Sequence, residues 1–340
     1  MKLNQRPIST WYILLLLLGI GVVIALAGCG SNQPAAAAVP ASPVTVQLAW
    51  VHSVEYSGFY FAEENGYYAE EGLAVELAEL GSAGPIQRVV AGEAQFGITS
   101  GDTLITARAE GSPIVAVATI YQRSPVAFIS LAEKNISRPQ DLVGAKVLVH
   151  FDGTTGLVYN AMLSSVGIDP SRINSVPRTD FGNDPLLTGQ VDVMDAFVTN
   201  QPVQLALDGH QINAILASDY GIDVYANIIF TSEEIIAQDP DLVERFLRAT
   251  VRGMQSAVDN PEVAAALALR YNPELSLESE VESMRRSLPL IDPADSFPGH
   301  MTAENWQTTY QILLDQGFMS GPLDVEAGYT LTFLEKIYGD

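Results

Sequence analysis

The order of the apolar runs is the feature of this sequence that most constrains its fold. Residues 44–120 hold four short apolar runs, and helix-like stretches separate them. The predicted strands are 44–50, 73–80, 95–98 and 114–120, and the predicted helices between them are 56–68, 86–92 and 102–111. Strands that alternate with helices at this spacing form a mainly parallel sheet with helices on both faces.

The same order starts again after residue 141, which predicts a second α/β lobe. Its predicted strands are 146–150, 175–177, 191–198 and 212–216, and its predicted helices are a stretch that ends at residue 166 and a short one at 186–190. A further strand at 226–230 leads into a helical region, where an apolar stripe over residues 242–258 marks the first helix.

These elements predict a two-lobed α/β protein, each lobe a mainly parallel sheet flanked by helices. Residues 44–124 form the first lobe, 125–224 form the second, and 225–340 return to the first lobe with the C-terminal helices. The two crossings, near 122–128 and 223–228, make a two-strand hinge. A cleft between hinged lobes is the usual place for a small ligand.

The composition excludes several classes of function. The 340 residues include 17 Lys and Arg against 40 Asp and Glu, and the net charge of −23 repels nucleic-acid backbones. The single cysteine, Cys29, excludes internal disulfides and metal or iron–sulfur sites built from several cysteines. The four histidines show no metal-binding spacing. We therefore expect no nucleic-acid partner, no metal and no cofactor.

The N-terminus has the pattern of an export signal. Lys2 and Arg6 precede an uncharged apolar run over residues 11–26, as in a secretory signal peptide. A plain membrane-anchor helix is the alternative. The run closes on Leu26-Ala27-Gly28-Cys29, which resembles the cleavage box of bacterial lipoproteins.

That resemblance implies a lipid-anchored protein on the extracytoplasmic face of the cell membrane. Residues 1–28 would be removed as the signal peptide, and the Cys29 thiol would carry the lipid. Several acyl chains, palmitate among them, make a durable anchor where a single chain binds only marginally. Residues 29–43, with three prolines and no apolar period, are then a flexible tether.

Aromatic residues gather where the first predicted strand ends. Trp50 lies at the strand-to-loop junction, where α/β sheets place ligand contacts, and Tyr56 and Tyr60 follow closely. Aromatic faces stack on a flat heteroaromatic ring, and phenol hydroxyls form hydrogen bonds at its edge. We expect these three side chains to bind ligand. Filling of the core is the alternative, and it is the assignment favoured for Phe59.

Polar residues at other strand ends are further candidates for ligand binding. Ser100 and Asp102 open a helix whose backbone N–H groups hold an anion or a carbonyl, and the Asp102 carboxylate accepts a ring N–H. Thr154 and Thr155 form the analogous loop of the second lobe, where the absence of Lys and Arg favours a polyol chain over phosphate. Asn200 follows another strand as an edge donor. Helix capping is the alternative for Asp102 and for the threonine loop.

Several ordered motifs carry a family resemblance. They are LAW at 48–50, YSGFY at 56–60, ENGYY at 64–68, EGL at 71–73, FGITSGD at 96–102, QRSP at 122–125 and DLVG at 141–144. Over about residues 44–260 the chain resembles solute-binding lipoproteins of ABC importers that bind thiamine pyrimidine precursors or riboflavin, a superfamily that includes fungal pyrimidine synthases. The resemblance implies a periplasmic-binding-protein type II fold, a role in vitamin uptake and an ABC permease in the membrane as partner.

The residues just before the second motif bear on the ligand. Pyrimidine-binding members of the family and the fungal enzymes typically carry Asn and His there, whereas this chain has Glu55 and Tyr56, with His52 four residues before Tyr56. This departure favours a relative that binds a different ring. We expect riboflavin as the ligand, and a thiamine pyrimidine precursor of the aminomethylpyrimidine type is the alternative.

The expected mode of action is binding without catalysis. The isoalloxazine ring of riboflavin would lie on Trp50 and Tyr56, and its ribityl hydroxyls would reach Thr154 and Thr155. The fungal pyrimidine synthases carry a cysteine-rich iron-binding motif and an active histidine. Since the single cysteine, Cys29, is assigned to the lipid, an enzyme of that kind would lack the cysteines of its iron-binding motif.

Overall fold

The computed structural model describes residues 41–293 and 296–339. The predicted signal peptide at 1–28, Cys29 with its predicted lipid, and residues 30–40 of the predicted tether lie outside the described residues. The first strand begins at Ser42, so the last two residues assigned to the tether belong to the folded part.

Ten strands form two five-stranded sheets in the described part of the chain. In chain order they are β1 (Ser42–Gln47), β2 (Leu73–Ala78), β3 (Phe96–Thr99), β4 (Ile114–Thr119), β5 (Val126–Leu131), β6 (Lys146–Val149), β7 (Asn174–Pro177), β8 (Val193–Phe197), β9 (Ile212–Leu216) and β10 (Ile228–Ser232). The strand order is β2-β1-β3-β10-β4 in one sheet and β7-β6-β8-β5-β9 in the other. We call the first sheet with its helices lobe 1 and the second with its helices lobe 2.

Each sheet contains one strand that runs against the other four. Strand β10 pairs antiparallel with β3 and β4, and β5 pairs antiparallel with β8 and β9, while the other pairs are parallel. Both reversed strands directly follow a segment in which the chain passes from one sheet to the other. Together the two sheets and the two crossings confirm the predicted two-lobed α/β fold.

Strand β5 is the strand that the sequence analysis missed. Its residues, Val126–Leu131, are almost uniformly apolar and almost fully buried. A continuous apolar run has no period by which to recognise a strand. Residues 122–128 were therefore assigned to the crossing alone, whereas the crossing ends before Val126.

Helices cover both faces of the sheets and continue to the C-terminal end of the described region. In chain order they are α1 (Ser57–Glu64), α2 (Tyr67–Glu70), α3 (Pro85–Val90), α4 (Gly101–Ala109), α5 (Thr154–Ser165), α6 (Asp184–Leu187), α7 (Gln201–Leu207), α8 (Glu233–Gln238), α9 (Pro240–Asp259), α10 (Pro261–Tyr271), α11 (Leu277–Ile291), α12 (Ala303–Asp315) and α13 (Thr332–Tyr338). Short 3₁₀ turns occupy Val54–Tyr56, Ala132–Lys134, Pro139–Leu142, Pro170–Arg172, Ala217–Tyr220 and Glu326–Gly328. None of these helices is long and apolar enough to cross a membrane.

The core of lobe 1 forms where α9 packs along α1. The predicted apolar stripe of α9 faces this core, and the Phe246 ring stacks on Phe96 with 3.8 Å between ring centroids. At Gly253, an added Cβ would collide with the backbone carbonyl oxygen of Gly58, so the two helix backbones touch directly. This close contact fixes the start of α1, which directly follows the 3₁₀ turn Val54–Tyr56.

Candidate ligand-binding cleft

A cavity of about 670 Å³ lies between the two lobes. Its walls come from the segments after β1 and β3 of lobe 1, from the segments after β6, β7 and β8 of lobe 2, and from the second crossing at Ala226 and Asn227. These are the carboxyl ends of the parallel strands, where open α/β sheets bind ligands. A volume of this size is within the usual range for small-molecule sites.

Two aromatic rings meet across the mouth of this cleft. Trp50, in the loop after β1, is 43% exposed, and Phe181, in the loop after β7, is 58% exposed. Their ring centroids are 5.3 Å apart at an interplanar angle of 69°, an edge-to-face contact. The structure thus brings Trp50 to the cleft, as the sequence predicts, and adds Phe181 from the other lobe.

The 3₁₀ turn Val54–Tyr56 places a polar corner in the wall of lobe 1. Tyr56 and Glu55 both line the cleft, and the Asn227 side-chain amide donates to Glu55 Oε2 over 3.2 Å. Burial raises the pKa of the Glu55 carboxyl above its ordinary value, and this effect outweighs the opposing influence of Tyr56 and Asn227. The carboxyl group of this corner therefore binds a proton more readily than that of an exposed glutamate.

Tyr60, four residues after Tyr56, does not reach the cavity wall. Its hydroxyl donates to the Ser53 carbonyl oxygen over 3.1 Å and lies 3.0 Å from His52 Nδ1, and its ring stacks on Tyr271 at 4.1 Å. The sequence predicts one helix over residues 56–68, but α1 begins only at Ser57 and Tyr56 belongs to the preceding turn. The two rings therefore point in different directions.

Ser100, Asp102 and Thr154 meet each other across the cleft. The Thr154 hydroxyl, at the start of α5 in lobe 2, donates to Asp102 Oδ1 over 2.9 Å and lies 3.0 Å from Ser100 Oγ in lobe 1. We call this contact the Thr154 bridge. Asp102 does not line the cavity, and its predicted role as a ligand acceptor stays a prediction. Burial raises the pKa of the Asp102 carboxyl despite the hydrogen bonds from Ser100 and Thr154.

The remaining predicted residues stand on the wall of lobe 2. Thr155 lines the cleft and donates to the His150 carbonyl oxygen over 3.3 Å, and Asn200 lines it at the start of α7. Ser100 and Thr154 also line the cavity. The structure thus brings Trp50, Tyr56, Ser100, Thr154, Thr155 and Asn200 together at one cleft, and ligand binding by them stays a prediction.

The sequence analysis missed an ionic cluster on the same wall. Asp195 of β8 is 1% exposed and accepts from Arg178 Nη1 at 2.9 Å and from the His150 backbone N–H at 3.0 Å. Burial opposes ionisation of Asp195, but these hydrogen bonds and the Arg178 charge outweigh it and lower the pKa of its carboxyl. The His150 ring stacks on Phe181 at 4.6 Å, so the cluster supports an aromatic surface. The sequence signal for this cluster was Asp195, a charged residue inside the predicted strand 191–198.

The arrangement suits a flat ring with polar edges. Aromatic side chains from both lobes supply faces for stacking, and hydroxyl, amide and carboxyl groups supply hydrogen bonds. Within residues 41–293 and 296–339, no group of three or more His, Cys, Asp or Glu side chains is arranged to hold a metal ion.

The family model described as NMT1/THI5 like matches residues 53–264, more than half of the chain. The chain belongs to the NMT1/THI5-like family. Family membership confirms the resemblance that the ordered motifs predicted.

Relatives of this NMT1/THI5-like chain include binding proteins and an enzyme. The riboflavin-binding protein RibY of Chloroflexus aurantiacus is 30% identical and covers 94% of this chain and 97% of its own length. The formylaminopyrimidine-binding protein of Halalkalibacterium halodurans is 27% identical over 91% of this chain and 95% of that protein. The 4-amino-5-hydroxymethyl-2-methylpyrimidine phosphate synthase of Legionella pneumophila is 28% identical over 74% of this chain and 80% of that protein.

Solved structures show the same fold. The periplasmic sulfonate-binding protein SsuA from Methylobacillus flagellatus matches with a TM-score of 0.68 at 16% identity, over 88% of this chain and 94% of that chain. At this identity the likeness bears on the fold alone, and it confirms the predicted periplasmic-binding-protein type II architecture.

Proposed function

We propose that this protein is the solute-binding subunit of an ABC importer, and that it captures riboflavin outside the cytoplasmic membrane. The observation that carries the proposal is the cleft of about 670 Å³ that has aromatic side chains of both lobes on its walls. Similarity to the riboflavin-binding protein RibY over 94% of the chain supports this choice of ligand.

The isoalloxazine ring would lie against the aromatic surface that the two lobes form together. Trp50 supplies one part of this surface, and Phe181, backed by His150, supplies the other. The ribityl chain would extend toward Thr155 and Asn200, whose side chains offer a hydroxyl and an amide. Contacts to both lobes at once are made only in the closed form, so the ligand would shift the protein toward closure.

A membrane anchor would keep the protein close to its permease. We propose that Cys29 carries the lipid anchor and that residues 30–41 are the tether, because β1 begins at Ser42. Radioactive palmitate supplied to the producing bacterium should label the wild-type protein and leave Cys29→Ser unlabelled. Labelling of Cys29→Ser, or no labelling of the wild type, would contradict a lipid anchor at this residue.

A thiamine pyrimidine precursor is the second candidate ligand. The Glu55 corner supports it, because a carboxyl group pairs well with the amino group and ring nitrogen of an aminopyrimidine. The relative from Halalkalibacterium halodurans, named a formylaminopyrimidine-binding protein, also supports it. A synthase is a less favoured third candidate, since the chain has one cysteine and lacks a cysteine-rich iron motif.

Two titrations of the purified folded part separate the candidates. Riboflavin should lose its fluorescence on binding and should raise the melting temperature of the protein, because a ligand that binds only the native state stabilises it. If excess riboflavin leaves both unchanged while an aminopyrimidine raises the melting temperature, the ligand is the pyrimidine. Conversion of either compound to a product would contradict a pure binding function.

A further inference from the structure

Two neighbouring polar groups in the wall of lobe 1 have hydrogen-bonding capacity that the protein itself does not use. The Tyr56 side chain is fully buried, and its hydroxyl makes no hydrogen bond of normal geometry within the described residues, although it lies near Glu55. The Asn227 amide donates to Glu55 Oε2, and the Tyr56 and Ser53 hydroxyls also lie near this carboxyl group, whose second oxygen can accept from a ligand. Both residues line the cleft.

Other buried tyrosines in the molecule have partners for their hydroxyls. Tyr60 donates to the Ser53 carbonyl oxygen, Tyr68 lies 2.9 Å from Thr250 Oγ1, and Tyr121 lies 3.3 Å from Ser287 Oγ. Buried polar groups are almost always hydrogen-bonded, so an exception that lines a binding cleft is a group that the ligand completes. The hydroxyl of Tyr56 is such an exception.

From this corner we infer that Glu55 and Tyr56 together recognise a hydrogen-bond donor and an adjacent acceptor on the edge of the bound ring. Glu55 accepts from a ring N–H, and the Tyr56 hydroxyl donates to the neighbouring carbonyl oxygen. In riboflavin that edge is the imide of the pyrimidinedione ring. The inference rests on the proposed function for the identity of the ring, but the pairing of the two residues is a separate claim.

The surroundings of the corner keep this recognition selective. Glu280 of α11 faces Glu55 and accepts from the Val54 backbone N–H at 2.7 Å, and the Tyr60 and Tyr121 rings lie near the same carboxyl. These neighbours are acidic or weakly acidic, and they provide no cation that attracts an anionic ligand edge. A site built to hydrogen-bond an N–H strongly rejects the analogue that lacks it.

The test compares riboflavin with N3-methylriboflavin, in which a methyl group replaces the imide hydrogen. Titration of the wild-type protein should show that methylation weakens binding by about a hundredfold or more. Equal affinity for the two flavins would overturn the inference and leave the proposed function standing.

Two matched variants separate recognition from folding. Tyr56→Phe should weaken riboflavin binding by about tenfold and leave the ligand-free melting temperature unchanged, because the lost hydroxyl has no protein partner. Tyr60→Phe should lower the ligand-free melting temperature and preserve affinity, because its hydroxyl is bonded in the core. An equal loss of affinity in both variants would overturn the inference.

The remaining outcomes distinguish this inference from the proposed function. If riboflavin fails to bind while an aminopyrimidine binds and depends on Tyr56 and Glu55, the recognition pair stands and riboflavin is the wrong ligand. If neither ring binds the wild-type protein, both the ligand assignment and the recognition pair are wrong.

Discussion

At the scale of single residues, the cleft presents large aromatic rings that the fold leaves partly exposed. Trp50 and Phe181 touch each other across the mouth, one from each lobe, and neither is needed to fill a core. Exposed aromatic surface next to a polar wall is typical of a binding site. We therefore expect these rings to contribute more to ligand binding than to stability.

Trp50→Ala should weaken binding of the ligand by about 1–3 kcal/mol, the range measured for base stacking on aromatic side chains. The ligand-free melting temperature should stay close to that of the wild type, because the ring is 43% exposed. Isothermal titration measures the affinity, and a thermal melt measures the melting temperature. Leu277→Ala is the control for loss of an exposed apolar side chain. Unchanged affinity would remove Trp50 from the site.

Glu55 predicts a pH dependence of stability. Its pKa is raised in the folded protein, so ionisation of the buried carboxyl costs stability once the pH exceeds its unfolded pKa, and the cost grows through the folded pKa. Glu55→Gln removes this cost. The gain in melting temperature should be larger at pH 8 than at pH 4, with the exposed Glu76→Gln as baseline. A gain in melting temperature that is equal at both pH values would contradict a raised pKa of Glu55.

Part of the site could be predicted from the sequence and part could not. Trp50 was found because strand ends are ligand positions in α/β sheets. Tyr60 was grouped with Tyr56 because the boundary between the 3₁₀ turn and α1 is invisible in the residue pattern. The Arg178–Asp195 pair was missed because its residues are far apart in sequence: Arg178 follows β7, and Asp195 lies in β8. Their elements come together only because β6 pairs with both β7 and β8.

At the scale of elements, two contacts between elements organise the molecule. The approach of α1 and α9 fixes the wall of lobe 1, and the Thr154 bridge joins the first turns of α4 and α5 across the cleft. The strand–helix order was predictable because the pattern of apolar runs is local. Neither contact was predictable, because each depends on how distant elements pack.

Gly253→Ala tests the contact between helices. Although alanine favours a helix by about 1 kcal/mol over glycine, its Cβ would collide with the Gly58 carbonyl and come within 2.9 Å of the Ala62 nitrogen. Overpacking against backbone should cost about 1–3 kcal/mol. Urea denaturation measures this loss. At Gly58→Ala the closest atom belongs to the flexible Met254 side chain, so the loss should be smaller. Wild-type stability of Gly253→Ala would refute the close approach.

Thr154→Val tests the bridge between lobes. Removal of the hydroxyl takes a donor from the buried Asp102 carboxyl, a loss of about 1.5–3 kcal/mol for a hydrogen bond to a charged group. The ligand-free protein should then open, and its radius of gyration in small-angle X-ray scattering should rise. Thr155→Val is the matched control, because its hydroxyl bonds within lobe 2. Identical scattering from both variants would show that the bridge does not hold the lobes together.

At the scale of the whole molecule, two α/β lobes line one cleft. The chain passes between the sheets twice, and each crossing leads into the reversed strand of its new sheet. Two parallel connections let the lobes rotate about one axis, which is the hinge motion expected of binding proteins. The strongly acidic chain, with a net charge of −23, favours an uncharged ligand such as riboflavin over its phosphate ester.

The most direct measurement is calorimetric titration of the purified protein with riboflavin at several temperatures, followed by analysis of the recovered ligand. We expect one riboflavin bound per chain, a negative heat-capacity change from burial of apolar surface in the closed cleft, and unaltered riboflavin afterwards. Absence of binding, or recovery of a chemically changed flavin, would contradict this expectation.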